Sequence, residues 1–316
     1  MPQPMNKKPM NKKKKLIVAA AAVVVAAALF WGAGRDGASV DVEADGVYVS
    51  SAKTAALQRV FDRYGYDLTR LLAEKRSAPR LFVRNVPIDF NRERFDAVRP
   101  SLFFEMMLPV VLKANAAVLK QRDAIAELKK EFDGTGALTA ESRVKLDKWV
   151  ERYDVRPSDD LGTLFAALLV RVDAVPPTIM MTMAAQDSVF ATSRYAREYN
   201  AIYHQRDWDG RGVVPDEDQK YGPQYRIRTF ETLYDAVESQ IFYVNTSGYL
   251  ESFRDARASY RRSGNTMYGG EIAHLLLNFP YKPFKYPDII RQLIDRHGLL
   301  QADFTPLDDK PPAAEK

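Results

Sequence analysis

The sequence predicts a mainly α protein of the α+β kind. A helical domain with one small β-hairpin lobe follows an N-terminal transmembrane helix and a helical extension. Three observations predict this: apolar residues recur at helical spacing over 101–188; glycine and proline punctuation is densest over 203–230; and an unbroken apolar run follows a lysine-rich start.

Lys7, Lys8 and Lys12 to Lys15 precede the apolar run from Leu16 to Trp31, which Gly32 and Ala33 extend until Arg35 ends it. At about 1.5 Å per residue the run spans roughly 24 to 27 Å, workable against a hydrocarbon core of ~30 Å with snorkelling lysines and an interfacial tryptophan. An uncleaved anchor is the favoured expectation. A cleavable signal peptide remains the alternative, because the basic start, apolar centre and Gly32, Ala33 and Gly34 also satisfy that pattern. The positive-inside rule keeps the lysines in the cytoplasm and exports the chain beyond Arg35. The expected location is therefore the bacterial inner membrane, single-pass, with the C-terminal domain in the periplasm.

The chain has no cysteine among its 316 residues, so stability must come from a packed core rather than from disulfides. About 280 residues remain after the anchor, enough for one large domain. The net charge is +5, and the six N-terminal lysines more than account for it. The remainder is nearly neutral, which argues against a nucleic-acid partner.

A polar, glycine- and aspartate-containing stretch over 34–46 is expected to be a linker. Leu57, Val60, Phe61, Tyr64 and Leu68 then mark a surface helix, or a pair broken at Gly65. The segment 78–88, with Pro79 and Pro87, is expected to be an extended connection. Over 101–132 one broad apolar stripe from Leu102 to Leu128 predicts a long amphipathic helix, bent at Pro109 and ended by Gly134 and Gly136. Thr139 opens the next helix, and 158–160 cap another over 161–172. Pro176 and Pro177 start a nearly all-apolar, hence buried, helix over 178–188. A hairpin with a long loop fits 203–230, its clearest strand at 224–230. Helices resume at 232–245, 249–262 and 286–297, and the tail 306–316 is expected to be disordered. The resulting division is a basic tail 1–15, an anchor or signal segment 16–34, a linker and helical extension 35–98, the main domain 99–300 and a disordered tail 301–316.

One acidic residue, Asp187, stands late in the apolar helix, just before a small-residue turn. The run Ala184 to Ala196 resembles the active helix of the glucosaminidase family of peptidoglycan hydrolases, roughly A-A-x-E-S-G-W-G-T-S-R-F-A, whose members include mannosyl-glycoprotein endo-beta-N-acetylglucosaminidase-like proteins. Three further blocks resemble its Bax-like bacterial subgroup. Phe104 to Asn115 is similar to F-F-x-M-M-L-P-x-V-L-K-x-N, and Val172 to Pro177 matches V-D-x-I-P-P. Arg228 to Val237, continued by Asn245, Thr246, Tyr249, Phe253 and Arg254, resembles R-x-F-D-S-L-L-D-S-V and N-T-x-x-x-Y-x-x-F-R. The resemblance covers roughly 101–297. It implies a lysozyme-like fold, a partner in the glycan strands of peptidoglycan and cleavage after N-acetylglucosamine. The active-site motif is degenerate: Asp187 replaces the catalytic glutamate, Val189, Phe190 and Ala191 replace Gly-Trp-Gly, residues 200–204 replace the N-N-L-F-G turn, and Gln240 stands at an expected tyrosine.

Glycoside hydrolysis needs a carboxylic acid whose proton is retained by an apolar surround, and an opposing group that activates water or stabilises the cation. Asp187 is the candidate acid. Shortening Glu to Asp withdraws the carboxyl by roughly 1.5 Å, and a misplacement near 1 Å costs on the order of a hundredfold in rate. Three roles stay open for it: acid catalysis, a sugar contact without turnover, and a cap on the following turn. Asp216, Glu217 and Asp218 could supply the second acid, with Glu217 preferred for reach; a solvated acidic loop is the alternative. Phe190, Tyr195, Tyr199, Tyr203, Trp208 and Gln240 are candidate substrate contacts, the aromatics stacking on pyranose faces or packing in the core. The segment 207–218 faintly echoes a calcium loop, but Arg211 stands where a ligand oxygen belongs. His204, His274 and His297 have no ligand spacing, so no metal and no cofactor is expected. Two functions are carried forward: a weak peptidoglycan hydrolase, and a non-catalytic module that binds glycan or docks on another envelope protein through the helix over 101–132.

Overall fold

Residues 38–51, expected to be mostly linker, form a β-hairpin. The computed structural model describes residues 37–92, 98–215, 225–280 and 282–313, so the anchor expected at 16–34 lies outside the described residues. Strands β1 (Ala38–Glu43) and β2 (Gly46–Ser51) pair antiparallel. Val47 and Val49 are fully buried, while Asp41 and Glu43 face solvent and pair with Arg84. Gly46 is required at the turn, because a Cβ there would lie 2.3 Å from the Phe82 ring.

The helical pair broken at Gly65 comes next, as α1 (Thr54–Arg63) and α2 (Leu68–Ala73). The segment expected only to connect then supplies β3 (Leu81–Val83), which lies parallel to β2 with all three residues buried. It builds the sheet, because Leu81, Phe82 and Val83 are apolar on both faces.

Helix α3 (Val98–Thr135) is the long helix expected from the stripe, with Pro109 inside it and Gly136 in the left-handed region just beyond its end. Helices α4 (Ala140–Arg152) and α5 (Leu161–Arg171) are capped by Thr139 and Asp160, whose side chains accept from backbone N–H groups of their first turns. Helix α6 (Pro177–Ser188) is buried without interruption from Pro177 to Ala185. A short helix, α7 (Arg194–Tyr199), leads to a two-stranded lobe, β4 (Arg206–Asp207) antiparallel to β5 (Arg226–Ile227), extended by a bridge from Val213 to Ile227. Then come α8 (Leu233–Thr246), opened by a Thr232/Asp235 capping box, α9 (Glu251–Ser263), the single turn α10 (Gly269–Ile272) and α11 (Tyr286–Arg296).

Helix α3 touches α6, α8, α5 and β3, so it is the axis of the molecule. The main hydrophobic core runs from Ala38 to Ala302, with a second small cluster at Tyr195, Ala201 and Ile227. The segment 37–92 is therefore part of the same packed body rather than an appended extension. The tail also departs from expectation. A 3₁₀ turn covers Leu299–Phe304, and beyond it Leu307 bridges in parallel to Ala78, with Ala78 donating to the Pro306 carbonyl and Asp308 donating back to the Ala78 carbonyl, both at 2.8 Å. Among the described residues only Arg99–Thr135 is a helix long and apolar enough to cross a membrane, and 67% of its most apolar window is buried inside the protein.

Candidate active site

The blocks that carry the family resemblance converge on the backbone that enters α6. Asn115 of α3 clamps Val175, donating to its carbonyl at 2.7 Å and accepting from its N–H at 3.0 Å. Asn245 of α8 donates to the Asp173 carbonyl at 3.0 Å. Arg257 of α9 is buried and donates to the carbonyls of Val170, Arg171, Asp173 and Ala174 and to Asn245 Oδ1. Burial pushes its guanidinium down to about 10, against the pull of Asp173. The Asp173 carboxylate, 1% exposed, takes a two-pronged ion pair from Arg261 and a longer one, 3.5 Å, from Arg122. Asp303 accepts from the N–H and hydroxyl of Thr178 and so caps the start of α6. These hydrogen bonds fix where α6 begins, and its twelve residues then fix where Asp187 lies.

Beyond Asp187 the chain takes a turn that L-residues rarely adopt. Val189, Phe190 and Ala191 all have positive φ, at 54°, 53° and 58°. Phe190 N–H returns to the Ala185 carbonyl, and Ala191 N–H is held by the Ser188 hydroxyl at 2.7 Å. The turn folds Phe190 inward, where its ring meets Phe103, Phe104 and His297 edge-on.

The Asp187 side chain is 3% exposed and, among the described residues, has two partners, both on Oδ1: Lys282 Nζ at 2.7 Å and the Tyr286 hydroxyl, which donates at 3.2 Å. Oδ2 is buried with no hydrogen-bond partner among the described residues, as is the Tyr203 hydroxyl. Desolvation outweighs the opposing pull of Lys282 and pushes the carboxyl up to about 6. The Tyr203 and Tyr286 hydroxyls are held far above their usual range by burial and by the Asp187 charge.

Asp187 lines a cavity of about 690 Å³ between α6, α8, the β4–β5 lobe and the segment before α11. Tyr195, Tyr203, Trp208 and Gln240 line it too, so four of the six candidate contacts share the cavity with the candidate acid. Phe190 does not. It is core, because the left-handed turn directs it against α3. Tyr199 is also elsewhere, packed on the small cluster of Tyr195, Ala201 and Ile227. Gln240, 2% exposed, accepts from Gln205 at 2.6 Å, and Gln205 accepts from Ser239 at 2.9 Å. Trp208 is 48% exposed and packs on Tyr225 at 5.8 Å. Asp216, Glu217 and Asp218 lie outside the described residues. In the segment that echoes a calcium loop, Asp209 pairs with Arg211 at 3.0 Å. His204 packs on Tyr195 in the cavity wall, and His297 packs on Phe104 and Phe190. Among the described residues no cluster of histidine and carboxylate side chains could hold a metal.

Sequence reasoning missed Lys282 and Tyr286. Neither lies near Asp187 in the chain, and the only local signal was a lysine held between Pro280 and Pro283 ahead of a helix.

Fold and cavity together define a mainly helical α+β protein with an aromatic cleft built around one buried carboxyl. No family model matches the chain, and no solved structure matches it. The chain is similar to Protein bax of Escherichia coli (strain K12), 26% identical over 190 residues, which are 60% of this chain and 66% of that protein. The chain thus spans just under two thirds of the relative it matches.

Proposed function

We propose that the protein is a peptidoglycan-binding member of the bacterial cell envelope, tethered to the inner membrane through residues 16–34 with its glucosaminidase-like domain in the periplasm. The cleft holds a glycan strand, and Asp187 serves as the acid for weak cleavage after N-acetylglucosamine. One observation carries this reading: among the described residues, a single carboxyl, with raised proton affinity, stands in the wall of a cavity lined by Tyr195, Tyr203, Trp208 and Tyr225. Tyrosine and tryptophan faces suit pyranose rings, and the volume lies within the range of small-ligand sites. A carboxyl titrating near 6 keeps roughly a tenth of its protons at neutral pH, which suits slow acid catalysis. The likeness to Protein bax supports placement among similar proteins and goes no further. Glu217 stays the proposed second carboxylate.

The test incubates the full chain, solubilised in detergent, with peptidoglycan sacculi, measuring co-sedimentation and new reducing ends. Release that disappears in Asp187→Asn supports hydrolysis. Failure to sediment with sacculi overturns the whole reading. The ion pair between Lys282 and Asp187 favours a second reading, a module that binds glycan or scaffolds another envelope protein without turnover. Sedimentation without any release would select it.

A further inference from the structure

Asp187 shares its cavity with a cation that a proton donor would not be expected to tolerate. Lys282 lies in the segment between Pro280 and Pro283, where its N–H donates to the Phe279 carbonyl at 3.3 Å, and Tyr286 N–H closes the next turn on the Pro283 carbonyl at 2.8 Å. This backbone directs the ammonium over the aromatic floor, 5.3 Å from the Tyr286 ring centroid and 5.8 Å from that of Phe279, and onto Oδ1 at 2.7 Å. The lysine side chain is 18% exposed and the carboxyl beneath it 3%. Oδ2, the oxygen left for a proton, is buried without a partner among the described residues. A neutral carboxylic acid here would lose the ion pair and leave the ammonium desolvated without a counter-charge, a costly arrangement.

We propose that Lys282 is an inhibitory counter-ion: it holds Asp187 as a carboxylate, so that the cleft retains a glycan strand while cleavage is suppressed. This rests on the glycan-binding reading above. In the suppressed step the bond from C1 to the leaving oxygen breaks with its electrons on that oxygen, which takes the Asp187 proton. Water bonds to C1, and the proton it loses reloads the carboxylate. No step can begin while the carboxyl carries no proton. Among the described residues, the charged and titratable groups that meet Asp187 are Lys282 from the turn before α11, Tyr286 from α11 and Tyr203 from the segment after α7. The tyrosines stay neutral, which leaves Lys282 as the charge that sets the state of the acid.

The experiment compares the full chain with Lys282→Met, which keeps the apolar stem, with Lys282→Arg, which keeps the charge, and with each change combined with Asp187→Asn or Asp187→Glu. Co-sedimentation with sacculi, reducing-end release and the carboxyl titration of Asp187, read by ¹³C difference against Asp187→Asn, are measured together. The expected result is release at pH 7 raised by up to about tenfold in Lys282→Met, as the protonated fraction rises from about a tenth toward one, unchanged in Lys282→Arg and absent with Asp187→Asn. The Asp187 titration moves to higher pH in Lys282→Met alone. If Lys282→Met binds sacculi but accelerates neither the Asp187 nor the Asp187→Glu protein, the inhibitory role is overturned while the binding reading stands. If nothing binds sacculi, the functional reading fails and the titration decides: an unmoved Asp187 overturns the counter-ion as well.

Discussion

Val189 is a β-branched residue in the left-handed region, 56% exposed and succeeded by two more residues of the same hand. Each such residue costs roughly 1–2 kcal/mol relative to glycine in that conformation. Glycines at 189 and 191 in the related motif make physical sense as the residues this turn wants. Val189→Gly should therefore stabilise the fold by about 1 kcal/mol, the relief exceeding the added freedom of the unfolded chain. Urea denaturation measures it, and a lowered midpoint would mean that contacts of the valine outweigh its strain. Asp187 was legible at this scale because a lone acid in an apolar helix has few neutral explanations. Lys282 was not, because no periodicity links positions 95 residues apart. Phe190 was misjudged because a sequence motif records an aromatic ring but not the φ angles that aim it. The same holds for the backbone before it: the Asp187 carboxyl itself hangs on α6, whose position is decided elsewhere.

That position is an element-scale property. Helix α6 is anchored at its start by Asn115, Asn245, Arg257 and Asp303, drawn from α3, α8, α9 and the final 3₁₀ turn. Asn115 is 6% exposed, and its side chain satisfies both polar groups of Val175. Asn115→Ala would leave a buried N–H and a buried carbonyl without partners, at about 1–3 kcal/mol each, and the expected loss in urea melts is about 2–4 kcal/mol. Asn115→Asp should recover only the bond to the Val175 N–H, since a carboxylate cannot donate to the carbonyl. Equal stability of all three proteins would show that the clamp is incidental. The helices themselves were readable from apolar spacing and caps. The first hairpin was not, because Asp41 and Glu43 place charges on its solvent face, and the alternation of Val40, Val42, Val47 and Val49 is masked by a short acidic turn. The bridge between Ala78 and Leu307 was hidden for a different reason. It joins residues more than two hundred positions apart, and a proline-rich, charged tail has no local pattern that foretells a partner.

The shared main core makes the N-terminal layer and the helical body one cooperative unit, and Glu105 sits at their junction. It lies in α3, and its Oε1 accepts from the Leu68 N–H that opens α2, at 3.3 Å. Burial is the main cause that pushes this carboxyl up to about 7 from an ordinary 4.5, and the charges of Asp67 and Asp62 push in the same direction. A folded-state pKa above the unfolded value means that the folded protein binds the proton more tightly. The stability it contributes is present in full below about pH 4.5 and is lost as pH rises through about 7. Discounted for the partial exposure of the site, the loss is on the order of 2 kcal/mol. Glu105→Gln keeps the acceptor for Leu68 and cannot ionise, so its stability lacks this term. Thermal melts of both proteins from pH 4.5 to 8 should show the wild type falling away from the glutamine variant across that window, with the gap constant above pH 8. Wild type and variant curves that run parallel throughout would mean that Glu105 ionises without penalty, and that the two layers meet across a junction wet enough to solvate a charge.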